Sequence, residues 1–176
     1  VTGLCGPNGI GKSTVLDILS GNLVPNFGDP EYESDKLQWD ELKDHIKDND
    51  MRTHFKELYA GSNKIAYKQQ VLKILFQKYK GKIISKILEN LSSVDEKIYK
   101  KITKALDIHA IQNRELSQCS VGELQRFAIA AILLQDADCF LIDEPCTFLD
   151  VKKRIELAEL LQKRAHSFTS EEQVPI

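Results

Sequence analysis

The sequence predicts an α/β fold with a mainly helical arm, and three observations carry that reading. A strand, a glycine-rich loop and a helix are expected in turn within the first 21 residues. An apolar segment near residue 140 ends in two adjacent carboxylates. Between these segments, apolar residues recur at helical spacing, so strands flank a long helical stretch.

The elements follow in order. Val1-Thr2-Gly3-Leu4-Cys5 reads as a short buried strand. Gly6-Pro7-Asn8-Gly9-Ile10-Gly11-Lys12-Ser13-Thr14 fits the phosphate-binding loop pattern, with two glycines correctly spaced before Lys-Ser. Val15-Leu16-Asp17-Ile18-Leu19 continues as a helix ending near Gly21. Residues 22–62 resemble an insertion, polar at first, then helical around 39–46 and 51–58. Ile65, Ala66 and Tyr67 suit a core strand leading to Gln70. The helical reading from 71 to 113 rests on Ile83, Ile84, Ile87, Leu88, Leu91, Ile98, Ile102 and Leu106. A second apolar helix opens at Ser120 and runs to about Gln135. A last amphipathic helix over 151–166 carries Ile155, Leu157, Ala158, Leu160 and Leu161.

Three of these places carry chemistry. In the first loop, glycines turn backbone N–H groups toward an anion, and the helix N-terminus adds a favourable dipole. Lys12 would neutralise the β- and γ-phosphates of a nucleotide, and Ser13 would ligate Mg²⁺. The bland alternative is a chance glycine-rich turn. In the second place, Phe140-Leu141-Ile142-Asp143-Glu144-Pro145, a buried strand would deliver Asp143 to hold Mg²⁺ through water. Glu144 would then orient or deprotonate an attacking water. A solvated acidic strand end is the alternative. In the third, Ser120-Val121-Gly122-Glu123 is at least a capping box, with Ser120 as N-cap and Glu123 three residues on. A capped helix N-terminus is also an anion site.

These motifs, in this order, resemble the nucleotide-binding domain of an ABC ATPase over nearly the whole chain. The resemblance implies a P-loop NTPase (RecA-like) core over 1–24, 63–70 and 126–176. It also implies a helix–loop–helix insertion over 25–62 and a helical subdomain over 71–125. It assigns ATP to Asn8, Gly9, Ile10, Gly11, Lys12, Ser13 and Thr14, and Mg²⁺ to Ser13, Gln70 and Asp143. Glu144 and Gln70 become the catalytic residues, with Gln69 standing where the family usually has a proline before its glutamine. Ser120, Val121, Gly122 and Glu123 become the signature loop that reaches the ATP of a partner domain, and Leu149 and Asp150 the centre of the D-loop.

Finer strings, "VPNFGDP", "ELQRFA" and "LDVKKR", resemble the ribosome-recycling members of that family. They imply a second nucleotide-binding domain in the same parent chain. They also imply the small ribosomal subunit with release or initiation factors as partners, no membrane, and a cytoplasmic location. Such proteins carry iron–sulfur clusters in a cysteine-rich N-terminal domain, which this sequence does not contain. Val121 stands where the family has the first signature glycine, and Cys119 where it has leucine. The adenine-stacking aromatic and the switch histidine are absent, and His166 lies too early for the latter. The sequence is therefore expected to be a piece of a longer chain and to hydrolyse ATP negligibly by itself. The alternative is the nucleotide-binding subunit of a membrane transporter.

Composition adds bounds. The 176 residues suffice for one domain, 42% apolar and 28% charged, with a net charge of −2. No apolar run approaches membrane-spanning length, and no signal peptide is visible. Cys5, Cys119, Cys139 and Cys146 lack paired metal-ligand spacing and read as reduced thiols. Charge is uneven: eleven lysines face three acidic residues between Lys64 and Lys104. That excess fits either a phosphate-backbone contact or ordinary solvated helix faces. The insertion is acidic, so a ribosome contact there would depend on Lys43, His45, Lys47, Arg52 and Lys56 rather than on bulk attraction.

Overall fold

A computed structural model describes residues 1–25, 28, 43–68 and 77–169. The chain divides into two units.

One unit comprises Leu4–Tyr67 and Ala137–Asp143. Its first helix, α1 (Lys12–Leu19), starts directly behind the glycine-rich loop. The loop needs its glycines: Gly9 and Gly11 have φ of 82° and 97°, in the left-handed region. The predicted insertion helix forms as α2 (Asn49–Tyr59), capped by the Asp48 carboxylate, which accepts from the Met51 N–H at 2.9 Å. Phe55 of α2 is buried against Ile18 and Leu19 of α1, with Val24, Ile46 and Leu58 around it. His54 Nε2 lies 2.9 Å from the Leu19 carbonyl, a further tie between these helices. Two strands, β1 (Ile65–Lys68) and β2 (Cys139–Ile142), pair in one sheet. They start side by side, because the Lys64 carbonyl accepts from the Asp138 N–H at 2.8 Å.

Two expectations fail here. Residues 1–5 form no strand and are exposed. A strand exists only where a neighbour completes its hydrogen-bond ladder, and the described sheet contains β1 and β2 alone. Likewise β2 is half-buried throughout rather than buried, since it has a single neighbour in that sheet.

The other unit comprises Val1–Gly3, Lys68–Asp136 and Glu144–Ile176. Helix α3 (Ile84–Leu91) buries Ile84, Ile87 and Leu88, as the periodicity predicts. It has no capping side chain. The carbonyls of Arg114 and Gln112 instead accept from the N–H groups of Ile84 and Ser85 at 3.0 and 2.9 Å. Helix α4 (Glu96–Ala105) is capped by Asp95 and buries Ile102 and Thr103. Its opposite face carries Lys97, Lys100, Lys101 and Lys104, all exposed. The most buried helix is α5 (Val121–Leu133), with Phe127, Ala128, Ile129 and Ala130 at 1% exposure or less. Helix α6 (Val151–Thr169) is capped by Asp150, whose carboxylate accepts from the Lys153 N–H at 2.9 Å. It turns Leu157 and Leu160 inward, whereas Ile155, expected on the apolar face, is 58% exposed. A 3.6-residue turn puts Leu157 and Leu160 on one side and carries Ile155 away from it.

Candidate functional site

The glycine-rich loop is built around Lys12. Its ammonium donates to the carbonyls of Gly6 and Pro7, each at 2.9 Å, so the lysine is folded back over its own loop. Gly11 is the N-cap of α1, and no side chain among the described residues caps that helix. The first-turn N–H groups of α1 are therefore left for a ligand, as an anion site requires. A Cβ at Gly9 or Gly11 would meet nothing within 4 Å, so an approaching phosphate finds backbone and open space.

Ser13 joins this loop to the second motif. Its hydroxyl donates to Asp143 Oδ2 at 2.6 Å. Asp143 follows β2 directly and is only 5% exposed. Tyr67 on β1 adds a contact that periodicity does not reveal: its hydroxyl bonds the Asp17 carboxylate of α1. Burial, then the charge and hydrogen bond of Asp17, then the charge of Asp143 push the Tyr67 phenol well above its ordinary range. Tyr67 stays protonated and ties strand to helix beside the loop. The sequence marks it only as an aromatic of the core or its rim.

Glu144 stands in the other unit, at the head of a tight turn. Its backbone is left-handed, with φ of 46°, as is that of Phe148 at 63°. Non-glycine residues adopt this conformation at a cost of about 1–3 kcal/mol, so the surroundings must enforce it. The Thr147 hydroxyl donates to Glu144 Oε2 at 3.0 Å. Gln125 Nε2 donates to the carbonyls of Glu144 and Pro145 at 2.8 and 3.2 Å. Thr147 is marked by no motif, and Gln125 falls within the string ELQRFA without a role being assigned to it, because both act through the turn. Leu149 is buried beneath the turn, and Asp150 is spent on capping α6.

The helix start at Ser120 is the capping box the sequence predicts. The Ser120 N–H and hydroxyl both donate to Glu123 Oε2, at 2.8 and 2.9 Å. The Glu123 N–H returns to Ser120 Oγ at 3.4 Å. The backbone and hydroxyl of Ser120, with Arg114 beyond them, hold the Glu123 carboxyl below its usual range. Val121 projects outward, 51% exposed. Gly122 has a packing reason to be glycine: a Cβ there would lie 3.1 Å from the Phe148 carbonyl. Gln70 lies outside the described residues. The four cysteines are free thiols, and burial raises Cys119 and Cys139 above their ordinary pKa. No helix among the described residues is long and apolar enough to cross a membrane.

The sequence model of the ABC transporter family matches residues 1–147. The chain belongs to the ABC ATPase family. Among ABC ATPase relatives, ABC transporter E family member 1 of Arabidopsis thaliana is 37% identical over 163 residues, 92% of this chain and 26% of that protein. Translation initiation factor RLI1 of Saccharomyces cerevisiae is 32% identical over 164 residues, again 92% and 26%. The fold resembles a chain in the crystal structure of archaeal ribosomal stalk protein aP1 with archaeal ribosome recycling factor aABCE1. That match has a TM-score of 0.81 at 31% identity and covers 92% of this chain and 30% of that one. The chain spans about a quarter of the length of these curated relatives. As an ABC ATPase domain it combines an α/β nucleotide-binding fold with the loop and carboxylate pair described above.

Proposed function

We propose that this ABC ATPase domain binds ATP with Mg²⁺, closes on a second nucleotide-binding domain, and serves a cytoplasmic protein that separates ribosomal subunits. The observation that carries the chemical part is the 2.6 Å hydrogen bond between Ser13 and Asp143. It brings two hard oxygen donors together beside Lys12, a set that suits a cation shared with phosphates and water. Bound there, Mg²⁺ would neutralise phosphate charge. Lys12 exchanges its loop carbonyls for phosphate oxygens, and the N–H groups of residues 9–14 surround them. Asn8, Gly9, Ile10, Gly11 and Thr14 complete the nucleotide loop in this reading. Glu144 accepts a proton from the attacking water, and Gln70 orients it. Ser120, Val121, Gly122 and Glu123 face the ATP held by the partner domain, and Leu149 and Asp150 line the join.

The ribosomal part rests on relatives whose names concern translation initiation and ribosome recycling. The test is sedimentation of intact ribosomes with the full-length protein and ATP. Conversion to free subunits, absent with Lys12→Ala, is expected. Intact ribosomes throughout would overturn the ribosomal role. Co-purification with an integral membrane protein would favour a transporter subunit instead.

A further inference from the structure

We propose that Gln125 is the positioning residue for Glu144, and that it ties the hydrolytic carboxylate to the helix carrying the signature loop. The proposal rests on the reading of Glu144 as the residue that activates water. Gln125 is 3% exposed. A buried amide is unfavourable unless its donors are satisfied, and here both hydrogen bonds from Nε2 go to one turn. They end on the carbonyls of Glu144 and Pro145, at 2.8 and 3.2 Å.

The turn needs such a brace. Glu144 has a left-handed backbone that its side chain disfavours, so its aim depends on what surrounds it. Thr147 fixes the carboxylate end, with its hydroxyl 3.0 Å from Oε2. Gln125 fixes the backbone end. Gly122, one helical turn before Gln125, lets α5 close on the carbonyl of Phe148 at the far end of the same turn. The first residues of α5 are Val121, Gly122 and Glu123, with Ser120 as its cap. A rigid helix carries a displacement of its N-terminus to Gln125, and Gln125 delivers it to Glu144. Docking of a partner's nucleotide on the signature loop therefore alters the aim of the carboxylate that serves this domain's own nucleotide. Gln125 is neutral and buried, so it acts through Glu144 rather than on the substrate.

The test uses the full-length protein with Gln125→Met, which keeps the volume and removes the donors, alone and combined with Glu144→Gln. Steady-state ATP hydrolysis is measured for all four forms. Gln125→Met is expected to lower kcat by about tenfold or more, as misplacement of a catalytic group does, with KM for ATP unchanged. In the Glu144→Gln background it is expected to cause no further loss, because the group it aims is already disabled. Wild-type kcat in Gln125→Met, or the same fractional loss in both backgrounds, overturns the proposal. Should Gln125→Met not fold, Gln125→Glu decides. Its introduced carboxyl donates only when protonated, so its kcat relative to wild type rises as the pH falls from neutral. A ratio independent of pH overturns the proposal. Failure of the underlying reading is visible separately: Glu144→Gln, with Gln125 intact, would then turn over at the wild-type rate.

Discussion

The Ser13 hydroxyl and the Asp143 carboxylate stand 130 residues apart in sequence and 2.6 Å apart in the structure. A hydroxyl–carboxylate bond of this length is charge-assisted and directional. Ser13 stays on α1 and Asp143 directly after β2, so the bond reports how the glycine-rich loop and its helix meet the later strand. Removing the hydroxyl with Ser13→Ala is expected to raise the Mg²⁺ concentration needed for half-saturation with ATP. Asp143 keeps other interactions, so stability should fall only by about 1 kcal/mol. Calorimetric titration of ATP across a Mg²⁺ series checks the first outcome, and urea unfolding checks the second.

Lys12→Ala separates binding from folding. Among the described residues the ammonium bonds the Gly6 and Pro7 carbonyls of its own loop. Its loss should leave the fold intact and weaken ATP binding about 10- to 100-fold, the size of one charge-assisted contact to phosphate. Unchanged ATP affinity in a folded variant would remove the loop from the proposed site.

Glu144 and Asp143 are adjacent but should behave differently. Glu144→Gln keeps size and hydrogen bonding yet cannot accept a proton. Turnover should drop by ~10²-fold while ATP remains bound, and the closed form should accumulate on a ribosomal subunit. Asp143→Asn should instead weaken Mg²⁺-dependent binding itself. Nucleotide retained after rapid gel filtration, with sucrose-gradient sedimentation alongside, distinguishes the two.

Asp107 supplies a pH-dependent contribution. Lys153 hydrogen-bonds its carboxylate, Arg126 lies 3.3 Å away, and these cations hold the Asp107 carboxyl below its ordinary pKa. A depressed carboxylate stabilises the fold above its unfolded pKa of about 4, and this is lost as the pH falls through the folded value. Lys153 is raised by the same contact and by Glu156, so its share is lost only as strong alkali is approached. Asp107→Asn keeps a residue tolerant of the left-handed backbone at φ 51° and removes the charge. It should cost about 1 kcal/mol or less at neutral pH, because the group is partly exposed. The difference from wild type should shrink to nothing in acid. Denaturant midpoints at neutral and acidic pH measure both.

The lysines of α4 offer a test of the ribosomal reading. Lys97, Lys101 and Lys104 share one helical face and have no ion pair among the described residues, whereas Lys100 pairs with Glu96 at 2.6 Å. Reversing the three to Glu in the full-length protein should weaken association with ribosomal subunits and flatten its salt dependence. Undiminished binding across a salt series would make them an ordinary solvated face.

The sequence by itself determined the parts that depend on neighbours along the chain. The glycine spacing before Lys12 set the loop, the Ser120–Glu123 spacing set the capping box, and the apolar period placed Ile84, Ile87 and Leu88 inside. Each follows from a fixed backbone geometry over a few residues. Tertiary structure decided the rest, because it depends on which distant groups meet. It withheld a strand from residues 1–5, whose pattern suits one but which lack a ladder partner in the described sheet. It turned Ile155 outward, seated Phe55 of the insertion against α1, and joined Tyr67 to Asp17. It gave Gln125 its place beneath Glu144. Gln125 lies in the string ELQRFA, but the sequence assigns it no role. Its meaning comes from burial, which forces its donors to find carbonyls, and from a strained turn whose carbonyls need donors.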